Sequence, residues 1–134
     1  MINTYSLETT IAEKIDAILS LMEFSSRMKD YYDIYYLANK FDFDGKILVD
    51  ALKRTFANRE HNFTVEQFEQ VMSFDADDLM QRKWKAFIKK IDAKTDDFSK
   101  VINTIDDFLR FPIKTALNGT NFLMQWKASS NIWE

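Results

Sequence analysis

Glycine and proline are almost absent from this chain, and their scarcity restricts the folds that it can adopt. The sequence contains 2 glycines and 1 proline among 134 residues. Folds built from many strands need these residues at their tight turns. Because 46% of the residues are hydrophobic, the chain can still bury a core. We therefore predict one all-α domain, an irregular bundle of about six helices with short connections, and exclude a β-sandwich or barrel.

The charge and the rarer residue types exclude several classes of function. A net charge of −3 disfavours non-specific binding of nucleic acid by the whole surface. The chain has no cysteine, so it has no disulfide and no thiolate metal site. Its single histidine, His61, lies in a predicted loop, and we expect no Ser-His-Asp triad, Cys-His pair or histidine metal site. No apolar run approaches the roughly 18 residues of a membrane span. We expect a cytoplasmic protein that does not enter a membrane.

Apolar spacing predicts two neighbouring helices near the start of the chain. Residues 1–6 show no helical period and are expected to form a short extended segment. A first helix is predicted over residues 7–23 and a second over residues 27–40, with Ser25 and Ser26 as candidate N-caps. Because the loop between them is short, they should pack as antiparallel neighbours. The predicted inner face of the first helix consists of Ile11, Ile15, Ile18, Leu19 and Met22.

Capping residues mark the remaining predicted helices. Asp42 and Asp44 precede a third helix, residues 57–63 form a loop, and Thr64 with Gln67 makes a capping box for a short helix ending near residue 72. A fifth helix starts at residues 75–78, and a last helix opens at residues 96–97 and ends at residues 118–119, with Pro112 kinking or dividing it. The aromatic tail, residues 120–134, is expected to pack back on the body. Inner faces are predicted for the third helix (Ile47, Leu48, Ala51, Leu52, Thr55) and the fifth (Leu79, Trp84, Phe87, Ile88, Ile91).

Asp30 lies at an unexpected position on the second helix. With about 100° per residue, it falls in the middle of the apolar stripe, between Leu37 on one side and Ile34 and Phe41 on the other. Burying a carboxylate costs several kcal/mol unless cations or hydrogen-bond donors contact it. The sequence therefore predicts either a structural ion pair or a chemical role at Asp30.

Lys14 is the predicted partner of Asp30. It falls at the edge of the apolar stripe of the first helix, whereas Glu13, Asp16, Ser20 and Glu23 form the solvent-facing arc. The two helices should bring Lys14 and Asp30 into one half-buried site. Helical spacing adds pairs between Arg27 and Asp30 and between Lys29 and Asp33. The complete candidate cluster contains Glu8, Lys14, Arg27, Lys29, Asp30 and Asp33.

Two interpretations of this cluster remain open. It is either an ion-pair network that fixes the packing of two helices, or a site whose cations hold phosphate oxygens while a carboxylate orients a nucleophile or takes its proton. The second interpretation also needs a metal-binding carboxylate pair and a loop that binds phosphate.

Two strings of residues bear on this choice. They are residues 5–14 (YSLETTIAEK) and residues 26–34 (SRMKDYYDI). At this separation they resemble the AbiEii/AbiGii family, the nucleotidyltransferase toxins of abortive-infection toxin–antitoxin systems, which act in phage defence. The resemblance extends over nearly the whole chain and is strongest in residues 5–56, which carry the motifs. Residues 57–134 would then supply supporting helices and the aromatic tail.

The resemblance implies a set of roles and partners. Lys14, Asp30 and Asp33 would be the catalytic residues, with Lys14 on nucleotide phosphate and an aspartate as acid or base, while Glu8, Arg27 and Lys29 would bind substrate. It implies transfer of a nucleotide from an NTP to RNA, with a transfer-RNA-like target, and a protein antitoxin as partner. For the complete protein it implies Mg²⁺ and NTP.

The chain also departs from that family. Its members carry a Gly-Ser loop for nucleotide phosphates and a D-x-D on a strand for the metal, and neither precedes residue 5. We therefore expect the C-terminal helical half of such a protein, inactive alone, with no metal site of its own and with the N-terminal half as a missing partner. Asp42-Phe43-Asp44 is interpreted as caps and turns, with a metal pair as the less favoured alternative.

Two further alternatives come from the residues themselves. A basic run with interleaved aromatics, residues 82–94, is either an RNA-contacting surface or a set of solvated lysines around core aromatics, and the second interpretation is favoured. The alternative to a nucleotidyltransferase is a non-catalytic helical protein-interaction module with a structural ion-pair cluster.

Overall fold

The computed structural model describes residues 6–24, 27–95 and 97–134. Within these ranges the chain forms six α-helices, two short 3-10 turns and a small three-stranded sheet, which confirms the mostly helical prediction. The helices are α1 (Leu7–Leu21), α2 (Met28–Lys40), α3 (Gly45–Asn58), α4 (Val65–Met72), α5 (Asp78–Ile91) and α6 (Phe98–Asn118). The strands are β1 (Phe43–Asp44), β2 (Gln125–Lys127) and β3 (Ile132–Trp133).

Side-chain caps fix most of the helix N-termini. The capping box of Thr64 and Gln67 opens α4, and Asp97 accepts a hydrogen bond from the backbone at the start of α6. Gly119 ends α6 with a φ of 74°, which glycine adopts without steric cost. Ser25 and Ser26 lie outside the described residues, and α2 begins after Arg27, whose side chain makes no cap hydrogen bond. The predicted extended segment is also outside them, except for Ser6, the N-cap of α1.

The core lies between α1, α2, α3 and α6. Helix α1 packs against α2 and α3, and α6 packs against α2, α3 and α4. The side chains of Ile11, Ile15, Ile34, Leu48 and Phe108 are fully buried at these contacts. Each contributes about 1.5–3 kcal/mol of hydrophobic stabilisation. This packing holds α1 and α2 side by side, as their short connection predicts.

Three predicted core residues are exposed instead. Ile47 is half exposed because the buried face of α3 runs through Gly45, Leu48, Val49 and Leu52. Leu79 and Ile91 are exposed because α5 packs mainly on α2 and the 3-10 turn at residues 74–76. That narrow contact fully buries Met80 and Trp84 of α5.

The aromatic tail packs back on the body, and it does so through a sheet that the sequence did not predict. The strands lie in the order β1-β2-β3, all antiparallel, with Phe43 opposite Trp126 and Trp126 opposite Trp133. Buried Trp126 donates its indole N–H to the Ala38 carbonyl at 2.8 Å. Strands of two or three residues are too short to show an alternating pattern in sequence.

Pro112 lies inside α6 without dividing it, since α6 is one helix from Phe98 to Asn118. Of the two predicted effects of Pro112, a kink or a division, the division is therefore wrong. None of the described helices is both long enough and apolar enough to cross a membrane.

Candidate functional site

Asp30 is buried, as its position on the helical wheel predicts. It lies in the first turn of α2 with 4% of its side chain accessible. Nε of Arg27 lies 3.1 Å from its Oδ2, and Nζ of Lys14 lies 3.5 Å from its Oδ1. The predicted site shared by the first two helices is therefore present.

Lys14 makes its shortest contact with Asp33. Its Nζ lies 2.8 Å from Oδ2 of Asp33, and Nζ of Lys29 lies 2.6 Å from the same oxygen. Burial acts to raise the pKa of Asp33, but the hydrogen bonds from Lys14 and Lys29 outweigh it and hold that pKa below its ordinary value. Asp33 is thus a charged carboxylate that keeps Lys14 between the two helices.

Asp30 is less well satisfied than Asp33. Its Oδ2 is buried and accepts no hydrogen bond from any described residue, although Arg27 stands beside it. The neighbouring Tyr31 hydroxyl is also buried without a hydrogen-bond partner among those residues. Burial, and then the charge of Asp30, raise the pKa of Tyr31. Since buried polar atoms are nearly always paired, this position is a candidate for contact with a ligand.

A surface groove opens beside Asp30. It has a volume of about 250 Å³, and α1 forms its floor between the start of α2 and the end of α3. Cationic side chains reach it from three elements, Lys14 from α1, Arg27 from the start of α2 and Arg59 from the end of α3. Its complete lining is Thr10, Glu13, Lys14, Ala17, Arg27, Asp30 and Arg59. Three cations against the two carboxylates of Glu13 and Asp30 give the groove a lining that is positive by one charge, which suits an anionic ligand.

Arg59 belongs to a second charged cluster that the sequence interpretation missed. Its Nη2 lies 2.5 Å from Oε2 of Glu13, and its Nε lies 3.9 Å from Oδ1 of Asp16. Nδ1 of His61 lies 2.9 Å from Oδ2 of Asp16. Asp16 was predicted to face solvent, but it is buried, so that prediction is wrong.

One feature of the helical wheel indicates that Asp16 is buried. Asp16 lies only about 40° from Ala12, which is fully buried. Its partners, however, come from the loop after α3, where no periodicity indicates which side chains turn inward. Arg59 and His61 therefore carried no signal in the sequence.

Glu8 is the one member of the predicted cluster that does not join its ion pairs among the described residues. It lies in the first turn of α1, and among the described residues it forms no ion pair with the other five. An acidic side chain at this position stabilises α1 through its interaction with the positive end of the helix dipole.

Asp44 is the N-cap of α3, as predicted, whereas Asp42 accepts a hydrogen bond from the tail. Oδ1 of Asp44 accepts hydrogen bonds from the backbone N–H groups of Lys46 and Ile47, and Oδ1 of Asp42 accepts one from Ala128. The hydrogen bond from Ile47, and then that from Gln125, lower the pKa of Asp44. No group of three or more acidic, histidine or cysteine side chains in the described part of the chain is placed to hold a metal ion.

The basic run on α5 matches the interpretation as solvated lysines around core aromatics. Trp84 is buried and Phe87 half-buried, while Arg82, Lys85, Lys89 and Lys90 are exposed. Lys83 instead donates to the Glu23 carbonyl at 2.9 Å.

Comparison with known proteins bears on the same helices. A family model described as nucleotidyl transferase AbiEii toxin, type IV TA system, matches residues 1–110, which include Lys14, Arg27, Asp30, Asp33 and Arg59. No curated protein and no solved structure shows a significant match to the chain. Because the family model covers most of the sequence, the chain belongs to the AbiEii nucleotidyl transferase toxin family of type IV toxin–antitoxin systems.

Proposed function

We propose that this chain supplies the helical wall of a site that transfers a nucleotide from a nucleoside triphosphate to RNA. The observation that carries the proposal is the buried carboxylate of Asp30, whose Oδ2 accepts no hydrogen bond from the described residues, at the edge of a groove lined by Lys14 and Arg27. Phosphate oxygens are the ligands that such cations bind best.

The local charge supports an anionic substrate. Lys14, Arg27 and Lys29 carry three positive charges, against two negative charges on Asp30 and Asp33. In the proposed site Lys14 contacts the phosphates, and Arg27 and Lys29 stabilise phosphate or transition-state charge. Glu8 remains a proposed substrate-binding residue without support from these contacts.

The two aspartates differ in ways that suggest different roles. In nucleotidyl transfer an acceptor hydroxyl attacks the α-phosphorus, pyrophosphate leaves, and the hydroxyl proton passes to a base. Asp33 has a lowered pKa and two lysine partners, which make it a poor base. Oδ2 of Asp30 accepts no hydrogen bond from the described residues and has only the ion pair with Nε of Arg27, 3.1 Å away. We therefore assign the proton acceptor to Asp30 and the positioning of Lys14 to Asp33.

The proposal also requires active-site parts that the described residues do not supply. A Gly-Ser loop and a D-x-D pair, on another segment or polypeptide, would complete the triphosphate site and bind Mg²⁺, because the described part of this chain has no group of three or more metal-ligating side chains. We assign no step to the ion. In this arrangement residues 1–134 act as one helical domain. Membership in a type IV toxin–antitoxin family implies an antitoxin partner.

The ion pairs also favour a second candidate, a non-catalytic interaction module. The contacts of Asp33 with Lys14 and Lys29 tie α1 to α2 whether or not a ligand binds. In that case the groove has no preference for phosphates.

Binding of each of the four nucleoside triphosphates, measured by calorimetry, tests the proposal. We expect Lys14→Ala to weaken the best triphosphate by about tenfold or more, which is about 1.4 kcal/mol. Lys46→Ala is the matched control, since Lys46 is an exposed lysine at the far end of α3 that pairs with Asp50. Equal affinities of the two variants, or no binding by the unmodified chain, would count against the proposal.

A further inference from the structure

A second cavity lies next to the groove and has no role in the proposed triphosphate site. It has a volume of about 300 Å³ and is formed by the first turn of α1 and the last turns of α3. Its lining consists of Thr9, Glu13, Arg54, Thr55, Asn58 and Arg59. The two cavities share Glu13 and Arg59, so a ligand in one lies directly beside a ligand in the other.

The chemistry of this second cavity is basic and polar. Arg54 is exposed, and it forms no ion pair with any residue that the structure describes. Arg59 presents half of its side chain to solvent while Glu13 holds it from α1. Because Glu13 and buried Asp16 both contact Arg59, the positive charge that the cavity offers to a ligand comes mainly from Arg54.

Arg59 is held between the two cavities. It contacts Glu13 and Asp16, and Asp16 is itself buried and held by His61. A guanidinium placed in this way presents its planar donors in a fixed direction, which suits phosphate recognition.

Nucleotide transfer needs two anionic substrates side by side, a triphosphate donor and an acceptor strand. We infer that the cavity lined by Thr9, Arg54, Asn58 and Arg59 binds a backbone phosphodiester of the acceptor RNA. This inference rests on the proposed function, in which the Lys14 groove holds the triphosphate. It assigns Arg54 to the acceptor alone and Arg59 to the boundary between the two substrates.

Arg54→Ala tests this assignment, because an exposed side chain without ion pairs can be removed with little effect on folding. Binding of a fluorescent single-stranded RNA of mixed sequence is followed by anisotropy over a range of salt concentrations. We expect Arg54→Ala to weaken RNA binding by about fivefold to tenfold and to reduce the salt slope by about 1. Lys46→Ala again serves as the charge-matched control on the same helix. Unchanged thermal unfolding of both variants shows that the fold is intact.

Triphosphate binding by the same variants separates this inference from the proposed function. We expect Arg54→Ala to change triphosphate affinity by less than about twofold, whereas Lys14→Ala lowers it. Loss of RNA binding no greater than in Lys46→Ala, or an equal loss of triphosphate binding, overturns the assignment of the second cavity while leaving the Lys14 groove intact. No RNA binding by the unmodified chain, or equal displacement of RNA by polyglutamate, also overturns it. An unaffected triphosphate affinity in Lys14→Ala instead overturns the proposed function.

Discussion

The indole N–H of Trp133 donates a hydrogen bond of 2.9 Å to the backbone carbonyl of Phe108. In a regular helix that carbonyl would accept from the N–H four residues later, but residue 112 is proline and has no N–H. The tail therefore supplies the hydrogen bond that Pro112 removes from α6. The ring of Trp133 also stacks on that of Phe108, with centroids 5.9 Å apart.

A double-mutant cycle tests this compensation. Trp133→Phe should lower the free energy of unfolding, because it leaves the Phe108 carbonyl without its donor. In a Pro112→Ala background the same substitution should cost about 1 kcal/mol less, since the alanine N–H can bond that carbonyl. Urea denaturation of the four proteins measures the coupling. Additive effects would show that the indole hydrogen bond does not replace the one lost at Pro112.

The sequence predicted correctly those features that depend on residues close together in the chain. The burial of Asp30 and the pairing of Arg27 with Asp30 and Lys29 with Asp33 depend on helical spacing, and all are confirmed. The contact of Lys14 with Asp30 also follows, because a short loop makes α1 and α2 neighbours.

The missed features depend on partners distant in sequence. Asp16 is buried because His61, 45 residues away, turns back to it. The three-stranded sheet joins β1 to a tail more than 80 residues later. The first residue of α3 is also held by the tail, since the N–H of Gly45 donates a hydrogen bond of 2.8 Å to the Met124 carbonyl. Local periodicity contains no information on any of these contacts.

Gly45 provides a second stability test. A Cβ built on it would lie 2.5 Å from the Met124 carbonyl oxygen and 2.5 Å from the Phe122 ring, so β2 would have to move away from α3. Gly45→Ala should therefore destabilise the fold by about 1–3 kcal/mol. Gly119→Ala is the control, because it meets no atom within 4 Å and suffers only from its positive φ. A smaller loss for Gly45→Ala than for Gly119→Ala in thermal unfolding would contradict the tight contact.

The lowered pKa of Asp33 predicts a definite dependence of stability on pH. A carboxyl group whose pKa is lower in the folded state stabilises the fold above its unfolded pKa, and this contribution disappears as pH falls through the folded value. Asp33→Asn should thus reduce stability at pH 7 and flatten the loss of stability below about pH 4. Urea midpoints between neutral and acid pH measure both effects.

Asp107 is the matched control, because burial, and then the charge of Asp106, raise its pKa. The sign is therefore opposite, and Asp107→Asn should stabilise the fold at pH 7, with the gain vanishing at acid pH. Parallel pH profiles for the two variants would contradict the assignment of charged, lysine-bound Asp33.

Transfer of labelled nucleotide to RNA by this chain alone tests where the metal pair lies. We expect no transfer, because Oδ1 of Asp42 and Oδ1 of Asp44 already accept backbone hydrogen bonds and the described residues contain no group of three or more metal-ligating side chains. The measurement is made with Mg²⁺, each triphosphate and total RNA. Transfer that is abolished by Asp44→Asn would place the metal pair in this chain and would contradict our assignment of these residues as caps.

Asp30→Asn separates a catalytic role of the cluster from a structural one. Replacing Asp30 removes a buried charge whose Oδ2 accepts no hydrogen bond from the described residues. The cations are not stranded, because Lys14 keeps its 2.8 Å contact with Asp33 and Arg27 is mostly exposed to water. We therefore expect Asp30→Asn to leave stability within about 0.5 kcal/mol of the original protein or to raise it, as is common at functional sites.

A purely structural ion pair gives the opposite result. Breaking it would leave buried charge unpaired and would cost about 2 kcal/mol or more. Leu48→Ala sets the scale, since Leu48 is fully buried and such a substitution costs about 2–5 kcal/mol. A thermal-shift series that places Asp30→Asn beside Leu48→Ala would reject Asp30 as the proton acceptor, because a site kept for chemistry does not hold the fold together to that extent.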